Sequence, residues 1–100
     1  MTSTEKAIEA RRFVVRGRVQ GVGYRYFVVE QAQRRDLVGW VRNIDTGEVE
    51  VWAEGPRAQL DELLSALNQG PRLAWVENIN HTWGPATGKY RRFSAVSTAY

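Results

Sequence analysis

A glycine-rich stretch between two structured runs constrains the fold of this chain more than any other feature. It reads Gly17-Arg-Val-Gln-Gly-Val-Gly-Tyr-Arg25, follows a strand-like run over residues 12–16 and precedes a helix-like run over residues 26–35. Glycine adopts positive φ angles that other residues resist, so successive backbone N–H groups can turn toward one point. The helix that follows adds its own free N–H groups and the positive end of its dipole, and Arg25 adds a permanent charge. This construction suits a phosphoryl group; the alternative is a connecting loop with a solvated arginine.

The composition is that of one folded domain. Apolar residues make up 43% of the 100 residues and charged residues 25%, which predicts a single domain over residues 11–100 behind a flexible tail over residues 1–10. The net charge of +3 favours anionic partners without singling out nucleic acid. Cysteine is absent, which excludes disulfides, zinc–thiolate sites and a cysteine nucleophile. No stretch reaches membrane-spanning length, so we expect a cytoplasmic protein without membrane contacts.

Alternating and helical patterns divide this domain into strands and helices. Strands are predicted over residues 11–19, 37–44, 48–54, 73–82 and 90–97, and helices over residues 24–35 and 56–67. The sequence Asp45-Thr-Gly47 is typical of a hairpin turn, and a break in parity predicts a bulge or a strand end near Asn78.

The same alternation predicts which side chains are buried. The last strand is predicted to turn Phe93 and Ala95 inward, and Trp40 is expected near Trp52 on the open face of the sheet. The outward side chains of the third strand are predicted to be Glu48, Glu50, Trp52 and Glu54.

The predicted order is β-α-β-β-α-β with an extra C-terminal strand. Helices with one apolar stripe, placed between alternating strands, belong on one face of an antiparallel sheet. The sequence therefore predicts an α+β, ferredoxin-like split βαβ sandwich. This layout serves enzymes, RNA-binding proteins and regulatory modules alike, so it does not decide function.

Asn43 is a candidate partner of the glycine-rich stretch. It shares the parity of Val41, so it is predicted to point toward the helix-covered face at the end of its strand. A right-handed crossover would bring that strand end close to the glycines. An amide there could hold a nucleophilic water against a phosphorus atom bound by Arg25. The alternative is that Asn43 simply opens the following turn, where asparagine is common.

Other catalytic and binding signatures are missing. There is no Gly-x-Ser-x-Gly or P-loop sequence, the single histidine, His81, is not predicted to be catalytic, and we predict no metal site and no cofactor. Trp40 and Trp52 with Arg42 could form a stacking surface for single-stranded RNA. The glutamates of the third strand would repel phosphates there, so we expect no nucleic-acid partner.

Two separate motifs resemble those of the acylphosphatase family. The stretch from Gly17 to Arg25 is similar to the family's signature loop, and Gly39-Trp-Val-Arg-Asn43 with Gly47 is similar to its second motif. Gly70-Pro71 followed by Ala74 and Val76 is similar to the pattern after its second helix, and the resemblance runs from about residue 11 to residue 93.

The resemblance implies hydrolysis of a carboxyl–phosphate anhydride by a monomer whose partner is a small-molecule acyl phosphate. It implies that Arg25 binds the phosphate and Asn43 orients the attacking water. The implied phosphate cradle consists of backbone N–H groups of Gln20, Gly21, Val22, Gly23, Tyr24 and Arg25. A phosphate-dependent regulatory module and an RNA-binding module are the rival functions.

This sequence departs from the family at three positions. Tyr24 stands where Phe is frequent, Ile44 where some members have Thr, and Ala95 where a larger aliphatic residue is usual. None of the three is an implied catalytic residue, so only substrate preference and core packing are affected.

Overall fold

Residues 7–99 are described by a computed structural model, and they form a five-stranded sheet with two helices. The elements are β1 (Ile8–Arg18), α1 (Tyr24–Arg34), β2 (Val38–Asn43), β3 (Val49–Pro56), α2 (Arg57–Gln69), β4 (Trp75–Pro85) and β5 (Phe93–Ala95). The strands lie in the order β4-β1-β3-β2-β5. This arrangement confirms the predicted ferredoxin-like class with its extra C-terminal strand.

The four strands of the predicted sandwich pair antiparallel, and the extra C-terminal strand differs from them in direction. β5 runs parallel to β2, with Gly39 opposite Phe93 and Val41 opposite Ala95. The topology explains this direction. β4 and β5 lie at opposite edges of the sheet, and β4 ends at the side of the sheet where β2 begins. A connection that crosses the sheet along that side starts β5 in the direction of β2.

β1 begins earlier than predicted. Ile8 pairs with Pro56, and Ala10 pairs with both Glu54 and Gly84. The predicted tail is therefore wrong for residues 8–10, while residues 1–6 lie outside the described residues. A central strand is held by backbone hydrogen bonds on both sides, so a segment with no clear alternation can still be extended.

The core lies between the two helices and one face of the sheet. α2 supplies three fully buried leucines spaced three and four residues apart, Leu60, Leu63 and Leu67. α1 contributes Tyr24, Val28 and Ala32. From the strands come Phe13, Val15, Val41, Val49, Val51, Ala53 and Phe93.

A bulge next to Asn78 shifts the register in which β1 pairs with β4. Arg16 pairs with Asn78 and Gly17 with Val76, so Glu77 is the extra residue. This confirms the predicted irregularity. Gly17 has φ 136°, and a Cβ atom there would lie 2.1 Å from the carbonyl oxygen of Trp75. Glycine is therefore required where β1 leaves the sheet toward the glycine-rich stretch.

The open face of the sheet is more buried than its alternation predicts. Glu50 is 6% exposed and Glu54 is 2% exposed. Both point to the open face, but Arg12 and Arg42 lie over Glu50, and the backbone N–H groups of Thr87 and Gly88 donate to Glu54. Their predicted outward direction is correct, but these covering groups shield both side chains from water. The strand pattern shows direction only, and the covering groups come from distant parts of the chain.

Candidate active site

The glycine-rich stretch turns the chain from β1 into α1. Gly21 has φ 74° and Gly23 has φ 79°, and a Cβ atom at either position would meet no other atom within 4 Å. These glycines are therefore needed for their backbone conformation, not for lack of space. Gly23 occupies the N-cap position of α1, and its carbonyl oxygen accepts the backbone N–H of Phe27 at 3.1 Å. The free N–H groups of the first helical turn thus come directly after the glycines in the chain.

The side chain of Gln20 fastens this stretch to the neighbouring hairpin. Its Nε2 donates to the carbonyl oxygens of Ile44 and Glu48 at 2.8 and 2.9 Å. Ile44 directly follows Asn43, so this contact places the glycines beside the end of β2. The connection from β1 through α1 to β2 thus brings the two motifs together.

The side chain of Tyr24 fastens the start of α1 to α2. Its hydroxyl donates to the carbonyl oxygen of Leu67 at 2.8 Å, inside the core. Burial raises the pKa of Tyr24 well above its usual range, so the hydroxyl keeps its proton and remains a donor. Tyr24 is thus held at both its backbone and its side-chain end.

Asn43 has a polar atom without a partner. Its Oδ1 is buried and accepts no hydrogen bond from any described residue. The backbone of Asn43 is well held, since it pairs with Val49 and its carbonyl oxygen accepts the N–H of Ala99 at 3.0 Å. A buried amide oxygen without a partner costs free energy unless a water molecule or a ligand supplies one. Asn43 does not act as a turn-opening side chain here.

Arg25 and Asn43 line the same pocket, which measures about 610 Å³. Arg25 is exposed, and no ion pair joins it to another described residue. Gly21, Gly23 and Tyr24 also line this pocket. Two residues of the predicted cradle do not: Gln20 is turned to the hairpin, and Val22 packs against the core.

The rest of the pocket was not predicted. It lies between α1 and β5 and is lined there by Tyr26, Val29, Gln33, Arg92 and Ala95. Ala95 is exposed, so its predicted burial is wrong; it shares the helix-covered face with Phe93, but its small side chain ends at the open pocket. The sequence carries no signal for this wall, because it forms only when β5 lies parallel to β2 beside α1.

The pocket is suited to an anion. In the part of the chain that the structure describes, its lining contains two arginines and no aspartate or glutamate. Within residues 7–99, no group of three or more His, Cys, Asp or Glu residues could hold a metal ion. In the same part of the chain, neither helix is long and apolar enough to cross a membrane.

The open-face tryptophans make contacts within the sheet. Trp40 lies opposite Trp52, as predicted. The Nε1 atoms of Trp40 and Trp52 donate to the Tyr90 hydroxyl and to Glu54 at 3.1 and 2.7 Å. Arg42 lies 4.8 Å from the Trp40 ring centre and pairs with Glu50. These contacts engage both indole N–H groups and the Arg42 guanidinium, which is the cation of the rival RNA-binding hypothesis.

Comparison with known proteins gives one consistent result. The acylphosphatase family model matches residues 11–95. An acylphosphatase from Salinibacter ruber is 45% identical over 92 residues, which cover 92% of this chain and 94% of that protein. The crystal structure of acylphosphatase from Bacillus subtilis superposes with a TM-score of 0.85 at 42% identity, covering 90% of this chain and 99% of that one. An acylphosphatase from Coxiella burnetii gives a TM-score of 0.86 at 33% identity, covering 94% of this chain and 100% of that one. Because the family model covers residues 11–95 and two solved acylphosphatases share the fold over nearly the whole domain, this chain belongs to the acylphosphatase family of hydrolases.

Proposed function

We propose that this protein hydrolyses the carboxyl–phosphate anhydride of small acyl phosphates to a carboxylate and inorganic phosphate. The phosphoryl group binds to Arg25 and to backbone N–H groups of residues 20–25, and Asn43 orients the attacking water. One observation carries the proposal: a buried amide oxygen without a partner among the described residues lines the same pocket as an arginine without an ion pair. The proposed site uses residues of a single chain, and we expect the enzyme to be a monomer.

The cradle stabilises charge on the phosphoryl oxygens. Phosphoryl transfer spreads negative charge over these oxygens in the transition state, and fixed donors stabilise it without reorganisation. The N–H groups of the loop are fixed because Gln20 and Tyr24 hold both of its ends. Arg25 adds a guanidinium whose planar set of donors matches two phosphoryl oxygens at once.

Asn43 positions the attacking water. Its Oδ1 accepts a hydrogen bond from water, whose oxygen then attacks phosphorus opposite the acyl oxygen. The bond between phosphorus and the acyl oxygen breaks, and its electron pair leaves with the carboxylate. Among residues 7–99, the pocket lining contains no carboxylate or histidine. The water's proton therefore passes to a phosphoryl oxygen of the substrate, and inorganic phosphate is released.

Steady-state hydrolysis of benzoyl phosphate tests these roles. We expect Arg25→Ala to lower kcat/KM by roughly 10²-fold or more and to weaken inhibition by inorganic phosphate, because charge-assisted hydrogen bonds contribute about 1.5–3 kcal/mol each. Asn43→Ala should lower kcat by about 10²-fold with little change in KM, because it removes an interaction made mainly in the transition state. A chelator should leave the wild-type rate unchanged.

Two matched variants serve as controls. Arg34→Ala removes an exposed arginine from the same helix, and Asn80→Ala removes an exposed asparagine from β4. Both should keep wild-type kinetics, and circular dichroism should show every variant folded. Near-normal turnover in folded Arg25→Ala, or a rise in KM alone for Asn43→Ala, would contradict the assigned roles.

A further inference from the structure

The pocket extends beyond the groups that would hold a phosphoryl group. Its volume of about 610 Å³ lies in the range of pockets that enclose whole small-molecule ligands. The glycines, Arg25 and Asn43 occupy only one end. The remaining space lies between α1 and β5, where an acyl group attached to the phosphate would extend.

Strand register places Arg92 at the other end of the pocket. β5 starts level with the beginning of β2, whereas Asn43 is the last residue of β2. Gln33 lies at the Arg92 end as well, because its Nε2 donates to the carbonyl oxygen of Phe93 at 3.2 Å. Arg25 and Gln33 are eight residues apart on α1, which corresponds to about 12 Å along the helix. The pocket is therefore a groove with one arginine toward each end.

The backbone of Arg92 is fixed while its side chain is not engaged. Its carbonyl oxygen accepts the N–H of Gly39 at 3.0 Å, and its neighbour Phe93 is 1% exposed. The Arg92 side chain is exposed and makes no ion pair with a described residue. No acidic residue among the described ones lines the groove to neutralise this charge. A single phosphoryl group at Arg25 leaves this second guanidinium without a partner.

We propose that Arg92 binds a second anionic group, carried at the far end of the acyl chain. The substrate class is then acyl phosphates of short acids with a terminal carboxylate or phosphate, and Arg92 determines the preference for them. This inference rests on the proposed function, because it takes the phosphoryl end to be bound at Arg25. The guanidinium fork suits either anion, since both present paired oxygens.

Matched substrates test the inference. Succinyl phosphate carries a terminal carboxylate, and 4-methylpentanoyl phosphate has the same shape with an isopropyl group in its place. 3-Phosphonopropanoyl phosphate represents a phosphate-like second anion. The wild type should prefer both anionic substrates over the isopropyl substrate by about tenfold in kcat/KM, the value of one charge-assisted hydrogen bond at an exposed position. About 1 M salt should reduce this preference, because the Debye length shrinks to about 3 Å.

Arg92→Ala should lower kcat/KM for the two anionic substrates to about the value for 4-methylpentanoyl phosphate, which abolishes the preference, while Arg92→Lys should retain part of it. Arg91→Ala is the matched control, because Arg91 is exposed but does not line the groove. A wild type without the preference, or a preference that survives in Arg92→Ala, would overturn the inference. Arg25→Ala separates the two proposals: its loss of activity on every substrate supports the proposed function, whereas full activity would refute that function whatever Arg92 does.

Discussion

Replacing Tyr24 by phenylalanine should destabilise the protein, because one buried carbonyl oxygen loses its hydrogen-bond donor. Leu67 lies in the last turn of α2, where carbonyl oxygens have no partner within the helix. The Tyr24 hydroxyl supplies that partner at 2.8 Å, and both residues are fully buried. Phe keeps the ring and removes only the donor, so the carbonyl oxygen of Leu67 remains buried without a hydrogen bond. Such a group costs about 1–3 kcal/mol, and we expect the free energy of unfolding at pH 7 to fall by about 2 kcal/mol.

The same residue should make stability depend on alkaline pH. Burial holds the pKa of Tyr24 above its unfolded value of about 10. Between these two values the unfolded chain loses the phenolic proton while the folded chain keeps it, so stability falls as pH rises. The contribution of Tyr24 is complete below pH 9 and should decrease by about 1.4 kcal/mol by pH 11. This portion of the alkaline decline should be absent in Tyr24→Phe.

Urea unfolding followed by far-ultraviolet circular dichroism at pH 7, 9 and 11 measures both effects. The m value should be unchanged, so that the shift in midpoint reports stability. Tyr26→Phe is the matched control, because Tyr26 is 78% exposed and should change stability by less than about 0.5 kcal/mol. Equal unfolding free energies for wild type and Tyr24→Phe at pH 7, or parallel declines above pH 9, would refute the reasoning.

Two further substitutions test the frame of the site. Gly39→Ala should leave little folded protein by circular dichroism, because at φ 136° its Cβ would lie 1.9 Å from the carbonyl oxygen of Trp52. Gly47 has φ 101° and open space around it, so Gly47→Ala should lower the free energy of unfolding by only about 1–2 kcal/mol. Glu50→Gln should lower the free energy of urea unfolding at pH 7 by about 1–2 kcal/mol. Burial alone would raise the pKa of Glu50, but hydrogen bonds from Arg12 and the neighbouring Arg42 outweigh it and lower that pKa. Its stabilisation is therefore present above about pH 4.3 and is lost as pH falls through the folded pKa, so wild type and variant should converge in acid; an undiminished difference at pH 2 would contradict this.

Local patterns predict most of the fold because each element carries its own signal. The leucine spacing of α2, the glycines before α1 and the Asp45–Gly47 turn all lie within a few residues of the structure that they specify. The direction of β5 and the start of β1 are different. Both depend on which strand lies beside them, and that partner is tens of residues away in the chain.

The two ends of the pocket also differ in whether local sequence patterns predict them. Arg25 and Asn43 belong to motifs with local signals, and the pocket brings them together. Arg92 has no such signal, because its position depends on β5 pairing with β2. The burial of Glu50 and Glu54 also escaped prediction, since alternation shows the direction of a side chain but not the distant groups that cover it. Properties set by long-range contacts were therefore the ones that the sequence left open.

A site without a base or a nucleophile depends on the rigidity of its donors. Fixed dipoles stabilise a transition state only to the extent that they need not reorganise. The loop gains this rigidity from two side-chain contacts, from Gln20 to a carbonyl oxygen 24 residues away and from Tyr24 to one 43 residues away. Gln20→Ala removes the first contact and leaves the proposed phosphate-binding groups in place. It should therefore raise the activation free energy derived from kcat by more than it lowers the free energy of unfolding.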